Sequence, residues 1–551
     1  MTLGHFNPVT LEVYWNRLIS LVEEAENVLI RTAFSTIIGE ARDFACILLN
    51  QRGESLAQAR MAVPEFALTL PRTVRYFLGI FPPASLKPGD VLITNDPWQG
   101  SGHLSDVNLV TPVFYRERLV GFFASVAHVS DFGGTVGYHT GRDVYEEGLY
   151  VPGYKLYEAG KRNRLLFDLI AANVRVPKLV LGDIEAMITA IEVGRDRVCE
   201  FLDDTGLPDL DDFSEEIGRL AEEAMATALR EVPEGVYRGS YTFDGYVEPL
   251  TIRAEVTIAD GRAYVDFVGT SPQQERGAIN APLSITTADT LYFFQYLFTP
   301  DLPVCSALFR PIEVSAPEGC LINPRRPAAV KGRTKTTFHV AEALFNALSS
   351  VAPERVQAGS GHSCYVISNG LDRVGRPFNS FYLPAGGMGA TLERDGHDCT
   401  HFPTNVAVTS IEIFEHTAPL LVLHKEILPD SGGAGRYRGG NGQRVLLRSV
   451  SDASLTVTLR PEDWRCPPAG LLGGKPGALC RVFLNGERVY ADLIDLKPQD
   501  ELVVETPGGG GMGPPATRDR GAILRDVREG MVSPERVANV YGVEALEDML
   551  R

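Results

Sequence analysis

At 551 residues the chain is too long for one hydrophobic core, which sets an expectation of about two to four domains. Its 44% hydrophobic and 22% charged content is that of a folded globular protein and excludes a disordered or fibrous one. A net charge of −18 argues against nucleic acid or an anionic membrane as the main partner, and no run of about 18 apolar residues is present to span a bilayer.

Pro8-Val9-Thr10 opens a helix with Leu11, Trp15, Leu18, Val22, Ala25 and Leu29 on one face, expected to run to about Gly39. Asp43 to Asn50 reads as a strand, turned by Gln51-Arg52-Gly53-Glu54 into a partner. Pro64 to Phe81 is expected to be helical in part, with Pro71 in a first turn, because proline lacks the N–H that a helix interior uses. Lys87-Pro88-Gly89 feeds a short strand from Asp90 to Ile93, which stops at Asn95-Asp96-Pro97. Leu119 to Val129 is a second apolar run, rich in aromatic and β-branched residues. Glu146 to Glu158, punctuated by Gly and Pro and rich in Tyr, reads as a loop, either a site wall or a solvated surface. Ile184 to Leu202 and Ser214 to Leu229 read as helices, the second with acidic residues in its first turn.

From Gly235 the texture changes to alternation, with strands at Tyr237 to Phe243, Leu250 to Ile258 and Ala263 to Phe267. Thr286 to Leu297 and Thr337 to Ala352 are expected helices. Short strands and Gly-rich loops follow to about residue 500, then a helical tail from Arg518 to Leu550 with Pro534 at a first helical position. The expected fold class is α+β and multi-domain. A helical and mixed N-terminal part (1–232) carries a metal site, a mixed β-rich part (233–450) follows, and a C-terminal β-rich segment (451–551) ends in helix. The eight Cys form no CxxC pair and the N-terminus does not read as a signal peptide, so a reducing, cytoplasmic setting is expected. Gly386-Gly387-Met388-Gly389, the run from Ser431 to Arg436 and the run from Gly508 to Gly513 lack the GxxxxGK[ST] form. None clearly follows a strand to open a helix, so they read as tight turns and close packing, and no ATP site is expected in this chain itself.

The stretch from Thr94 to Gly134 concentrates chemistry. Gly100-Ser101-Gly102 can approach a ligand closely; His103 and Asp106 stand three apart, and His128 lies near the C-terminal end of the apolar run that follows. Imidazole, carboxylate and imidazole delivered from two segments to one point leave open positions, as suits a catalytic divalent metal. The plainer alternative is a hydrogen-bonded turn pair. Only ten His occur in the chain, yet His103, His128 and His139 fall within 37 consecutive residues, which favours the metal. Asp43, a carboxylate at the start of an apolar strand, is either a turn cap or a fourth ligand or base.

Several stretches together resemble the hydantoinase B/oxoprolinase family: TNDPWQGSGHLSDV, EGLYVPGYKLYEAGK, NVRVPKLVLGD, FVGTSPQQERGAINAP, FRPIEVSAPEGCLINP, LPDSGGAGRYRGGNG and ETPGGGGMG. The resemblance implies a metal site at His103, Asp106 and His128 with Asp43 as a further ligand, the metal being zinc, manganese or iron. It also implies ATP held by a separate hydantoinase A-like partner, hence a hetero-oligomer; a twofold core fits the general frequency of such symmetry. The activity implied is ATP-dependent opening of a cyclic amide (hydantoin, oxoproline or lactam); the alternative is ATP-dependent carboxylation of a ketone, and a non-catalytic scaffold with a structural metal is a third reading. Two departures from the family pattern stand out. Val129 occupies a place where many relatives have a second His, and Lys331-Gly332-Arg333-Thr334-Lys335-Thr336 is more basic than its counterparts.

Overall fold

The sequence FACILLN, buried at every position, forms strand β1 (Phe44–Asn50). Side chains alternate between the faces of a strand, so β1 has to be covered on both. It belongs to a seven-stranded antiparallel sheet with β2 (Ser55–Gln58), β3 (Val91–Thr94), β4 (Asp106–Tyr115), β5 (Arg118–His128), β6 (Tyr154–Glu158) and β7 (Lys161–Arg162). Their spatial order is β2-β1-β5-β4-β3-β6-β7. The chain is described by a computed structural model over residues 6–139, 141–372 and 374–542, so the expected end of the helical tail, from 543 to 550, lies outside the described residues.

Helices α1 (Pro8–Thr32), α2 (Thr36–Gly39), α3 (Pro64–Ile80), α4 (Arg164–Asn173) and α5 (Pro177–Thr205) lie about this sheet, and α6 (Asp211–Arg230) packs chiefly on the turn Ser306–Phe309. α5 packs on α1, β4 and β5, while α3 packs on β1 and β5. The approach of α5 is close: a Cβ added at Gly194 would sit 2.3 Å from the Phe123 ring. By alternation along β5, Phe123 faces α5 and His128 faces the opposite way.

The structure corrects three expectations here. The first helix stops at Thr32, not near Gly39, because the Asp183 carboxylate on α5 accepts the N–H groups of Phe34 (2.8 Å) and Ser35 (3.0 Å). Ser35 then caps α2. Pro71 lies inside α3 rather than in a first turn. Burial of Phe66, Leu70, Val74 and Phe77 on the same helix outweighs the hydrogen bond that Pro71 forgoes. Tyr154 to Glu158, expected as loop, is β6, paired antiparallel with β3.

The middle of the chain forms a second sheet from β8 (Gly235–Asp244), β9 (Pro249–Ala259), β10 (Arg262–Asp266) and β11 (Ile312–Ser315), in the order β11-β10-β9-β8. α7 (Leu283–Phe298) and α8 (Thr334–Leu348) pack on each other, and α8 lies on β8 and β9. Two further sheets follow. One joins β12 (Tyr365–Leu371), β13 (Pro377–Tyr382), β16 (Leu455–Arg460) and β19 (Leu493–Leu496). The other joins β14 (Leu420–Ile427), β15 (Gln443–Ser449), β17 (Arg481–Leu484), β18 (Glu487–Arg488) and β20 (Glu501–Glu505). An apolar core shared by the first two sheets includes Leu48, Phe123 and Val256; a separate one, with Val366, Val457 and Val504, lies between the last two. The architecture is α+β, with its largest sheet in the N-terminal part.

The described part of the C-terminal tail is helical in short pieces, Arg520–Arg528 and Pro534–Arg536 among them. Pro534 does stand at a first helical position, under a Ser533 cap. All eight Cys are free thiols, and among the described residues no helix is long and apolar enough to cross a membrane.

Candidate metal centre

The register of the β4–β5 hairpin sets Asp106 directly opposite His128 at its open end. On the other side of β5, the His128 N–H donates to the Asp43 carbonyl at 3.0 Å, which brings the residue preceding β1 to the same end. Three neighbouring strands therefore deliver Asp106, His128 and Asp43 in one row. His103 comes from the turn between β3 and β4, and the Asp106 N–H donates back to its carbonyl at 3.3 Å. The HxxD spacing is thus a bent loop running into a strand, not a helical turn.

His103 Nε2 lies 2.7 Å from Asp106 Oδ1; His128 Nδ1 lies 3.0 Å from the same oxygen and 3.2 Å from His103 Nε2. His103 Nδ1 is 2.9 Å from the Lys331 carbonyl, which can only accept. The proton of His103 accordingly sits on Nδ1, and Nε2 presents a lone pair to the centre. Burial lowers the pKa of His103 to about 4 despite the attraction of Asp106, so the imidazole is neutral at pH 7. Burial alone would raise Asp106, but the polar groups around it, the Arg333 guanidinium among them, outweigh it and hold the carboxyl well below its ordinary range. Neutral imidazole and ionised carboxylate are the forms that bind metal. Ligand bonds of about 2.1 Å would set neighbouring donor atoms roughly 3 Å apart. The three converging lone pairs fit such an ion.

Behind them stands a residue that no local motif singles out. The second Asp106 oxygen accepts from Ser101 Oγ at 2.6 Å and from Arg333 Nη2 at 3.0 Å. Arg333, 1% exposed, also donates from Nε to the Ser101 carbonyl. It reaches Asp106 past Gly102. The basic departure at 331–336 is therefore structural to the site: it supplies the carbonyl that orients His103 and the guanidinium that holds Asp106. Glu147, in the EGLYVPGY motif, pins this stretch by accepting the N–H groups of Val330 (2.7 Å) and Lys331 (2.8 Å).

Asp43 lines the same cavity, together with His103, His128, Glu65, Arg333 and Arg460. Its carboxylate is not among the donor atoms that lie within 4.8 Å of one another, which are those of His103, Asp106 and His128. Burial raises Asp43 to about 6, with His128 opposing and Asp106 reinforcing the shift. Glu65 is raised to about 7, again chiefly by burial. Val129 is fully buried in the apolar core and adds no donor. His139 belongs elsewhere, on a separate cavity beside Tyr246 and Asp492.

The cavity beside His103 and His128 is small, about 40 Å³. His128, Tyr138 and Phe381 wall both it and a neighbour of about 60 Å³. Arg175, Asn379 and Phe381 in turn wall that neighbour and an outer cleft of about 490 Å³. The shared walls set the three cavities side by side.

The family described as Hydantoinase B/oxoprolinase matches this chain over residues 7–515. A protein named as the B component of a D-/L-hydantoinase, from Pseudomonas sp. strain NS671, is 30% identical over 98% of this chain and 96% of its own length. The beta chain of the caprolactamase of Pseudomonas jessenii is 30% identical with the same coverage. The crystal structure of the ATP-dependent caprolactamase from that organism matches with a TM-score of 0.91 at 28% identity, over 98% of this chain and 97% of the other. Nucleotide-free acetone carboxylase shares the fold, with a TM-score of 0.89 at 22% identity over 98% of this chain and 80% of its own. The chain belongs to the hydantoinase B/oxoprolinase family.

Proposed function

We propose that this chain is the metal-holding subunit of an ATP-dependent hydrolase that opens a cyclic amide, acting on a substrate phosphorylated with the help of a separate, hydantoinase A-like ATP-binding subunit. The observation that carries the reading is the convergence of His103 Nε2, Asp106 Oδ1 and His128 Nδ1 on one buried point, with an oriented tautomer on one side and a buried guanidinium on the other. The hydantoinase and caprolactamase relatives, each named as one component of its enzyme, support a two-component assembly. A hetero-oligomer with a twofold core is the form we expect, in a cytoplasm whose reducing state suits the eight free thiols.

When bound, a divalent ion (zinc, manganese or iron) lowers the pKa of water or polarises a carbonyl. The chain's own residues do the rest. His103, Asp106 and His128 hold the ion, the Lys331 carbonyl fixes the His103 tautomer, and Arg333 keeps Asp106 ionised and aimed. Asp43 serves as a further ligand or as the base: a carboxyl raised to about 6 by burial can take a proton near neutral pH. The buried cavity beside His103 and His128 has room for a water molecule and limits the entry of bulk solvent. The carboxylase alternative has less support, since acetone carboxylase is likened to this chain by fold alone and is covered over 80% of its length, against 97% for the caprolactamase.

The test is co-expression with the ATP-binding partner and measurement of substrate-dependent ATP hydrolysis over hydantoins, 5-oxoproline, lactams and ketones, with and without bicarbonate. The expected result is bicarbonate-independent opening of a cyclic amide, lost on the order of 100-fold or more in His103→Ala together with bound metal. Strictly bicarbonate-dependent turnover of a ketone overturns the reading. Asp43→Asn separates its two roles: metal retained with activity lost makes it the base, metal lost makes it a ligand.

A further inference from the structure

A second group of metal-type donors lies away from the centre described above. His339 and Glu342 stand three apart on α8 and so share one face of the helix. His362 comes from the loop before β12 and Asp463 from the segment after β16. All four are buried, none more than 3% exposed. His339 Nδ1 lies 2.6 Å from Glu342 Oε2, and His362 Nε2 lies 4.0 Å from Glu342 Oε1. On its other side, His362 Nδ1 is 3.6 Å from Asp463 Oδ2, too long for a hydrogen bond.

His362 is the anomaly. Its ring is held by stacking on Phe338, with centroids 5.1 Å apart, yet among the described residues neither ring nitrogen has a hydrogen-bond partner. A fully buried imidazole with two orphaned nitrogens has lost its water without replacement, which native interiors avoid. The two carboxylates pose a matching problem. Lys335 and Arg460, the nearby cations, are engaged by Glu462 at 2.6 and 3.2 Å. Among the described residues no Lys or Arg lies within ion-pair distance of Glu342, and none of Asp463.

We propose that His339, Glu342 and His362 form a second divalent-metal site, taking zinc or another first-row ion, with Asp463 as the outer partner that accepts the Nδ1–H of His362. One dication resolves both anomalies: it takes the lone pair of His362 Nε2 and balances Glu342 and Asp463 to neutrality. Two imidazoles and one carboxylate are a recurrent donor set for such ions. A carboxylate receiving the far N–H of a ligating His is its usual outer support, the role that the Lys331 carbonyl plays for His103. The role assigned is positioning. Arg333 immediately precedes α8, and His339 follows six residues on, about 9 Å along a helix axis. An ion binding α8 to the loops at 362 and 463 would hold the helix that presents Arg333 to the first centre.

The test uses the assembled complex and reads metal, not turnover. Complexes of wild type, His103→Ala/His128→Ala and the triple variant adding His362→Gln are exposed to zinc, desalted and assayed by plasma mass spectrometry. The double variant is expected to keep about one ion per chain, and the triple variant to keep none. Asp463→Asn, milder for folding, is expected to weaken zinc binding in the double-variant background by about 10–100-fold. A double variant that is folded by circular dichroism yet holds no zinc overturns the proposal. So does an anomalous zinc map of wild-type crystals with no peak at His339, Glu342 and His362. Failure of the first centre alone reads differently, as equal zinc in wild type and double variant.

Discussion

A guanidinium buried at 1% exposure beside a carboxylate needs both room to enter and a partner that keeps its charge. Gly102 provides the room: its φ is +99°, and a Cβ there would sit 2.3 Å from Arg333 Cδ and 2.7 Å from Nε. Gly102→Ala is therefore expected to displace Arg333 and strain the backbone, lowering stability by about 1–3 kcal/mol in chemical denaturation. Arg333→Met keeps most of the volume but leaves Asp106 Oδ2 with Ser101 alone. Zinc affinity at the first centre is expected to fall about 10–100-fold, read by competition with a chromogenic chelator; unchanged affinity would remove Arg333 from the account of that site. At this scale the sequence was informative where rare residue types fall close together. His103, Asp106 and His128 lie within 26 consecutive residues, and a hairpin register closes them. Arg333 was visible only as an unusually basic stretch, because its partner lies 227 residues away and nothing local encodes the pairing.

Among the elements, β1 shows how a buried carboxyl is used structurally. β2 pairs with β1 only as far back as Ile47, so the N–H of Cys46 on that edge has no strand partner. The Glu26 carboxyl on α1 accepts it at 3.0 Å. Burial raises Glu26 from 4.5 to about 8, outweighing the stabilising bond to Cys46. The folded state thus holds a proton that the unfolded chain releases above pH about 4.5, so stability falls as pH rises from about 4.5 to about 8. Glu26→Gln removes this titration. The variant is expected to show a flatter stability profile across that window in urea titrations at stepped pH, with the largest gain over wild type at the alkaline end. The same elements show what periodicity conveys. β1 and β5 were legible as apolar runs bounded by turn residues, whereas β6 was not, because it lies toward a sheet edge with Tyr154 and Glu158 exposed and pairs in register with β3 only through tertiary structure. Pro71 misled for the opposite reason, since its local rule is real but yields to the burial of α3.

At the level of the whole molecule, the three glycine-rich runs share one explanation. The Gly509 N–H donates to the Gly440 carbonyl at 2.9 Å, the Gly433 N–H to that of Gly509 at 2.7 Å, and the Gly440 N–H to that of Met388 at 2.8 Å. The runs near 387, 433–440 and 508–511 are thus laced to one another, backbone against backbone, as their reading as close packing implied. A Cβ at Gly509 would lie 2.2 Å from the Met388 carbonyl oxygen, and one at Gly440 would lie 2.0 Å from that of His397. Main chain cannot rotate away as a side chain can, so relief requires separating whole segments. Gly509→Ala is expected to lose more stability than a typical surface substitution by several-fold, most visibly as a fall in soluble yield and Tm. Gly79, inside α3 with nothing within 4 Å of an added Cβ, is the matched control. Gly79→Ala is expected to raise stability by about 0.5–1 kcal/mol, because alanine loses less backbone freedom in a helix. If both alanines proved harmless, the glycine runs would be free loops and their carriage of the C-terminal fold would be wrong. A destabilised Gly509→Ala beside a stabilised Gly79→Ala would show that main-chain contact, and not glycine content as such, is what these segments contribute to the fold.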